Sequence, residues 1–141
     1  MPIRFPLKAR SLVLCDFDRG GFRAPEMVKK RPVVVMAGRL PHRNRLHTIV
    51  PLSGTPPPFD ECLYQSRLEI DPLPAPYDEA IWWAKADMIT TVSFDRLDLF
   101  RSARDPSGKR KYYTNLKVTE DQLKEIQRAV LCSLGLGSID F

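Results

Sequence analysis

Through the first third of the chain, apolar residues come in short runs broken by glycine, proline or charge, a rhythm that suits strands rather than helices. Ser11 to Asp18 (SLVLCDFD) predicts a first strand, stopped by Gly20 and Gly21. Arg31 to Ala37 (RPVVVMA) predicts the strongest one, because three successive valines carry stiff branched side chains that suit a pleated surface. Pro32 then belongs at the strand start or on an edge. A turn around Gly38 to Asn44 leads into Leu46 to Leu52 (LHTIVPL), which is expected to pair with that strand as a hairpin.

Further on, three consecutive prolines between Ser53 and Phe59 forbid a central strand, since each removes a ladder donor. Leu63 to Ile70 resumes the extended pattern, and Pro72 to Pro76 forms another loop. Ile81 to Lys85 and Met88 to Val92 read as short strands around Asp87, and Tyr112 to Leu116 as a last one. Only the C-terminal part reads as a helix. Thr119 and Gln122 have capping-box spacing, Val118 and Leu123 can staple the first turn, and Leu123, Ile126, Val130, Leu131 and Leu134 recur at helical spacing before Gly135. Short strands, Gly- and Pro-rich turns and one amphipathic helix predict a small, strongly curved, mostly antiparallel barrel with a terminal helix.

A length of 141 residues is expected to give one domain over 1–141 with no linker. Lys and Arg outnumber Asp and Glu by 22 to 17, a net charge of +5 that permits a polyanionic partner without demanding one. The basic residues are densest from Lys29 and Lys30 to Arg31, with Arg19 and Arg23 nearby, and from Arg101 to Lys111; solvated loops would look the same. Cys15, Cys62 and Cys132 are odd in number and lack C-x-x-C spacing, so no disulfide framework is expected. Cys15 and Cys132 read as small core residues. With no signal-like stretch and no membrane-length apolar run, a soluble cytoplasmic protein is expected.

Several chemistries lack their usual residues. His42 and His47 have no zinc spacing, and there is no Walker sequence, Gly-x-Gly-x-x-Gly or Gly-x-Ser-x-Gly. Asp16 and Asp18 suit loop amides or neighbouring cations better than a metal, so neither metal nor cofactor is expected. What remains is an arginine opening one strand, Arg31, and a hydroxyl closing the next, Ser53, which a hairpin register can set facing each other. Read without a family, each also fits a blander role: a surface ion pair for Arg31, a turn for Ser53.

The order LVLCDFD, a Gly-bearing loop, KKRPVVVM, TIVPLSGT, ADMITTVSFDRL and a helix ending in SLGL resembles the MazF/PemK toxin family from about Leu12 to Leu136. The resemblance implies an SH3-like barrel of the CcdB/PemK type that dimerises, binds single-stranded RNA (mRNA), and is neutralised by a cognate antitoxin protein. It implies an endoribonuclease in which the ribose 2′-hydroxyl attacks the neighbouring phosphate, leaving 2′,3′-cyclic phosphate and 5′-hydroxyl ends without a metal. Arg31 matches the family's catalytic arginine, and Ser53 the position where threonine is usual. Glu26 matches an acidic loop position of some relatives and Asp87 a retained carboxylate, while Thr55 is a second hydroxyl in reserve. Met88 and Thr90 depart from a D-Q-I-R-T segment in which many relatives carry a Gln or an Arg, so either Arg31 suffices or another basic residue substitutes. Trp82 and Trp83 must point to opposite faces, one into the core and the other, Trp83, free to stack on a base. A non-catalytic RNA- or protein-binding module on the same barrel, or a CcdB-like gyrase poison, are the alternatives.

Overall fold

The computed structural model describes residues 2–18 and 21–138; Arg19 and Gly20, assigned above to the basic cluster and the first loop, lie outside the described residues. Among the described residues nine strands precede one helix: β1 (Leu12–Asp16), β2 (Lys30–Val35), β3 (Leu46–Ser53), β4 (Gln65–Glu69), β5 (Ile81–Lys85), β6 (Thr90–Ser93), β7 (Leu97–Asp98), β8 (Phe100–Arg101), β9 (Tyr112–Tyr113) and α1 (Glu120–Ser133). An antiparallel sheet runs in the order β4-β5-β3-β2-β1-β7, β6 also pairs with β3, and β8 pairs with β9. The expected β2–β3 hairpin is present, registered at Val33↔Pro51, Val34↔Val50 and Val35↔Ile49.

The three valines are all fully buried because both faces of the sheet are covered. Val34 points with Leu12, Leu14, Val50, Leu52, Leu68, Trp82 and Ala84 toward Ile126 of α1. Val33 and Val35 point the other way, with Val13, Cys15, Phe17, Ile49, Val92, Phe94 and Leu97. An alternating side-chain direction with two apolar covers is what a continuous apolar run needs. Pro32 pairs with Leu14 of β1, and pairing of β2 with β3 begins only at Val33, so the proline sits where its missing donor is not needed.

The second edge of β3 is shared. Residues Leu46 to Ile49 pair with β6, whereas Leu52 and Ser53 pair with β5. A 3-10 turn, Ala86–Met88, separates β5 from β6, opposite the stretch of β3 that holds Pro51. The strand expected over Met88 to Val92 therefore starts at Thr90, because Met88 belongs to this turn. The first strand ends at Asp16 rather than Asp18, and the last at Tyr113 rather than Leu116.

Thr119 and Gln122 form both hydrogen bonds of the capping box, at 3.0 and 2.9 Å, and Gly135 takes the left-handed φ of +76° just past the helix. Gln122 also donates to the Glu69 carbonyl at 2.9 Å, pinning α1 to β4. Two expectations for the helix need correction. Leu134 is the exposed C-cap residue, since the core ends at Val130, and Cys132 is only half-buried, lining a cleft between α1 and β4.

His47 is the one buried histidine among the described residues. Its ring stacks on Phe94 with centroids 5.1 Å apart, and Nε2 accepts the Leu7 N–H at 2.8 Å, so the neutral ring carries its proton on Nδ1. Burial pushes its pKa down, an effect partly offset by the Ala37 backbone. A base with a lowered folded pKa contributes stability above its unfolded pKa and loses it as pH falls. Urea midpoints are therefore expected to drop as pH falls below about 6.5, with a slope of at most ~1.4 kcal/mol per pH unit from this group. His47→Asn is expected to be less stable at neutral pH and flatter between pH 7.5 and 5.5 than wild type, within roughly the histidine range. Equal slopes in the two proteins would remove His47 as the cause.

Candidate functional site

Continuing the β2–β3 register by two residues sets Arg31 opposite Ser53. Such cross-strand neighbours have Cβ atoms about 5 Å apart on one face. Ser53 in turn pairs with Trp83 of β5, so Trp83 lies on that face as well. Lys85, two residues on, shares it by alternation. Arg31, Ser53, Trp83 and Lys85 thus line one face where β2 starts and β3 ends, beside the apolar cluster built on Val33 and Ile49.

The sequence secures the entrance to β2. Lys29 adopts φ 72°, an unusual conformation for a non-glycine residue. Its N–H is held by Asp18 Oδ1 at 2.7 Å and its carbonyl by the Phe17 N–H at 3.1 Å. Asp16 Oδ1 accepts the Asp18 N–H at 3.1 Å, so the two aspartates receive loop amides as expected. Arg31 then fixes one edge of its guanidinium on the Val28 carbonyl, Nε to O 2.8 Å. No ion pair engages its Nη atoms among the described residues, which leaves the fork to take an anion. Burial lowers the Arg31 pKa, and the Asp18 charge pulls it back up.

Ser53 is 7% exposed, and its Oγ accepts the Thr55 N–H at 3.1 Å. The hydroxyl proton remains available to donate. A Cβ on Gly54 would stand 2.6 Å from Glu79 Oε2, the end of an exposed side chain that can swing aside. Thr55 is exposed and contributes its carbonyl to the arrangement rather than its hydroxyl, accepting Lys85 Nζ at 3.0 Å.

Lys85 was not singled out by the sequence reading. Its ammonium donates to Thr55 O and, at 2.7 Å, to Gln65 Oε1. Burial lowers its pKa, the charges of Asp87 and Cys62 oppose that, and Arg31 lowers it further. Lys85 and Arg31 therefore feel one another, with Asp87 close enough to act on the lysine. A signal was present in IWWAK: once Trp82 is assigned to the core, alternation assigns Lys85 to the face of Trp83. Trp82 is 6% exposed and Trp83 only partly buried, the division expected of adjacent strand residues.

Lys30 and Glu26 lie apart from this face. Lys30, next to Arg31, points to the opposite face, where Nζ pairs with Asp98 Oδ2 at 3.2 Å. Glu26 sits exposed in the loop before β2, its N–H on the Arg23 carbonyl at 2.7 Å, with no ion pair to Arg31 among the described residues. Asp87 is exposed on the 3-10 turn, which also carries Met88. The basic stretch from Arg101 to Lys111 forms the connection of the β8–β9 hairpin. Among the described residues no three His, Cys, Asp or Glu side chains gather as a metal site, and no helix is long and apolar enough to cross a membrane.

Residues 8–134 match the family model described as "PemK-like, MazF-like toxin of type II toxin-antitoxin system". The Escherichia coli (strain K12) uncharacterized protein YifN is 30% identical over 159 aligned positions, covering 99% of each chain. Two solved structures share the fold. The Mycobacterium tuberculosis toxin MazF-mt6 superposes with a TM-score of 0.55 at 16% identity, over 94% of this chain and all of its own. MazF from Deinococcus radiodurans does so with a TM-score of 0.57 at 16% identity, over 94% of this chain and 99% of its own. The mainly β sheet with one C-terminal helix is thus the fold of these toxins.

Proposed function

The chain belongs to the PemK-like, MazF-like toxins of type II toxin-antitoxin systems, and from that premise we propose that it is an endoribonuclease cutting single-stranded RNA at the Arg31–Ser53–Lys85 face. Toxins of this family are generally RNA endonucleases that pair with an antitoxin and typically act as dimers; a cognate antitoxin and a homodimer are proposed here on that basis.

The observation that supports the reading is a guanidinium, a hydroxyl and an ammonium gathered on one face with anion-binding capacity left over. In the proposed reaction the O2′–P bond forms as the P–O5′ bond breaks. Arg31 holds the non-bridging oxygens with its planar fork and stabilises the charge that grows on them. Ser53 adds a donor to the same phosphate. Asp87, whose field reaches Lys85, accepts the 2′ proton. Lys85 gives a proton to the leaving 5′ oxygen, a task that suits it better than Arg31 because a lowered pKa lies nearer the working pH. Trp83 offers a ring on which a neighbouring base can stack. Each step is carried by a side chain, so no metal is required.

Purified protein is accordingly expected to cut single-stranded RNA in EDTA, leaving 2′,3′-cyclic phosphate and 5′-hydroxyl ends, and to arrest growth when expressed without its antitoxin. End-group analysis by mass spectrometry reads the chemistry. Dependence on added Mg²⁺ would count against the mechanism. RNA retained intact would instead favour a non-catalytic binding module on this barrel.

A further inference from the structure

Behind the start of β2, on the face opposite Arg31, lies a second cavity of about 480 Å³. Its walls include Lys30, Tyr77, Phe100, Arg101, Arg110 and Tyr113, and no carboxylate lines it among the described residues. The sizes and the mix of a few polar groups with aromatic rings are those of a small-ligand site. Tyr77 packs edge-on against Phe100, centroids 5.9 Å apart, and Lys111 caps Tyr113 with Nζ 5.1 Å from the ring centroid.

The charges in the cavity are unequal in availability. Lys30 is already neutralised by Asp98 at 3.2 Å. Arg110 makes no ion pair among the described residues, and its Nε is buried with no hydrogen-bond partner among them. A buried donor left unsatisfied is unfavourable unless a ligand accepts from it, and a guanidinium prefers an oxyanion. Arg101, on the exposed side of β8, makes no ion pair among the described residues. Two cations with spare donors beside two tyrosine rings match a phosphate and a base rather than a carboxylate-rich peptide, which needs no rings. Lys30 precedes Arg31 directly, so the cavity and the Arg31 face share the start of β2.

We propose that this cavity takes a nucleoside phosphate, a flanking nucleotide of the RNA strand whose phosphate meets Arg101 and Arg110 and whose base meets Tyr77 and Tyr113. The assignment to RNA rests on the nuclease reading above; the assignment to a nucleoside phosphate does not.

In ¹H–¹⁵N spectra of the full chain, titration with adenosine 5′-monophosphate is expected to move the resonances of Tyr77 and of residues 100–113, with inorganic phosphate moving them much less. A 2′-O-methyl RNA of roughly 12 nucleotides, within the span single-strand sites cover, resists 2′ attack and reports affinity by fluorescence anisotropy. Arg101→Gln and Arg110→Gln are each expected to weaken it about tenfold and to flatten its salt dependence. Arg101 is exposed, so its variant tests the pocket even if Arg110→Gln folds poorly. Still resonances with unchanged affinity overturn the pocket even where RNA is cut normally. Resonances that move while RNA stays uncut leave the pocket standing and sink the nuclease. Movement with polyglutamate and none with the nucleotide overturns the proposal in favour of an acidic peptide.

Discussion

Arg31→Ala is expected to lower RNA cleavage by roughly 10³-fold, in the range set by loss of a charge-stabilising donor in phosphoryl and acyl transfer. The side chain is committed to this work by geometry. One edge of the guanidinium is tied to the Val28 carbonyl, and the other makes no ion pair among the described residues, on a residue that the register sets opposite Ser53. Arg31→Lys keeps the charge and loses the fork, so it is expected to recover only part of the rate. Removing one partly buried hydrogen bond costs about 1 kcal/mol, which leaves the fold intact. The measurement is single-turnover cleavage of a labelled single-stranded RNA, beside a circular dichroism melt. Undiminished cutting by the folded alanine variant would remove Arg31 from the reaction and, with it, the proposed site.

The Arg31–Ser53 facing is legible in the sequence only as a possibility. Three valines announce β2, and the apolar run before Ser53 announces β3, but a register shift of one residue would turn every side chain to the other face. Burial on both faces makes Val33, Val34 and Val35 interchangeable in this respect, so the register shows only in the assembled sheet, where Val33 meets Pro51 and Val34 meets Val50. The same alternation separates Lys30 from Arg31. In the sequence they form one basic cluster; on a strand they serve opposite faces, one paired with Asp98 and one beside Ser53.

Other parts leave too little pattern to read. β7, β8 and β9 are two residues each, shorter than one period of alternation can show, so the hairpin that carries Arg101 and Arg110 appears in the sequence only as a basic turn. The change of partner along β3, from β6 to β5, depends on a three-residue 3-10 turn with no distinctive spacing. Thr119 and Gln122 are the opposite case, because a cap is a local contact and its residues lie next to each other in the chain.

Lys85 supplies what Met88 and Thr90 lack at their positions in the sequence: a second cation near the first. Lys85→Met is expected to lower kcat by roughly 10²-fold, the loss of a general acid and of one charge on the phosphate. The ammonium is positioned by Thr55 O and Gln65 Oε1, so methionine keeps most of the unbranched stem and removes both contacts. The pH profile tells this role from mere support of the loop. An acid must be protonated to act, and burial has lowered the Lys85 pKa, so wild-type kcat is expected to fall on the alkaline side below the usual lysine value of about 10.4. Lys85→Arg restores the charge at every working pH and is a poor acid. It is expected to regain part of the rate with that alkaline fall absent. A structural lysine would give a different pair of results: both variants equally slow, or equally fast, and an alkaline limb unmoved by the change to arginine.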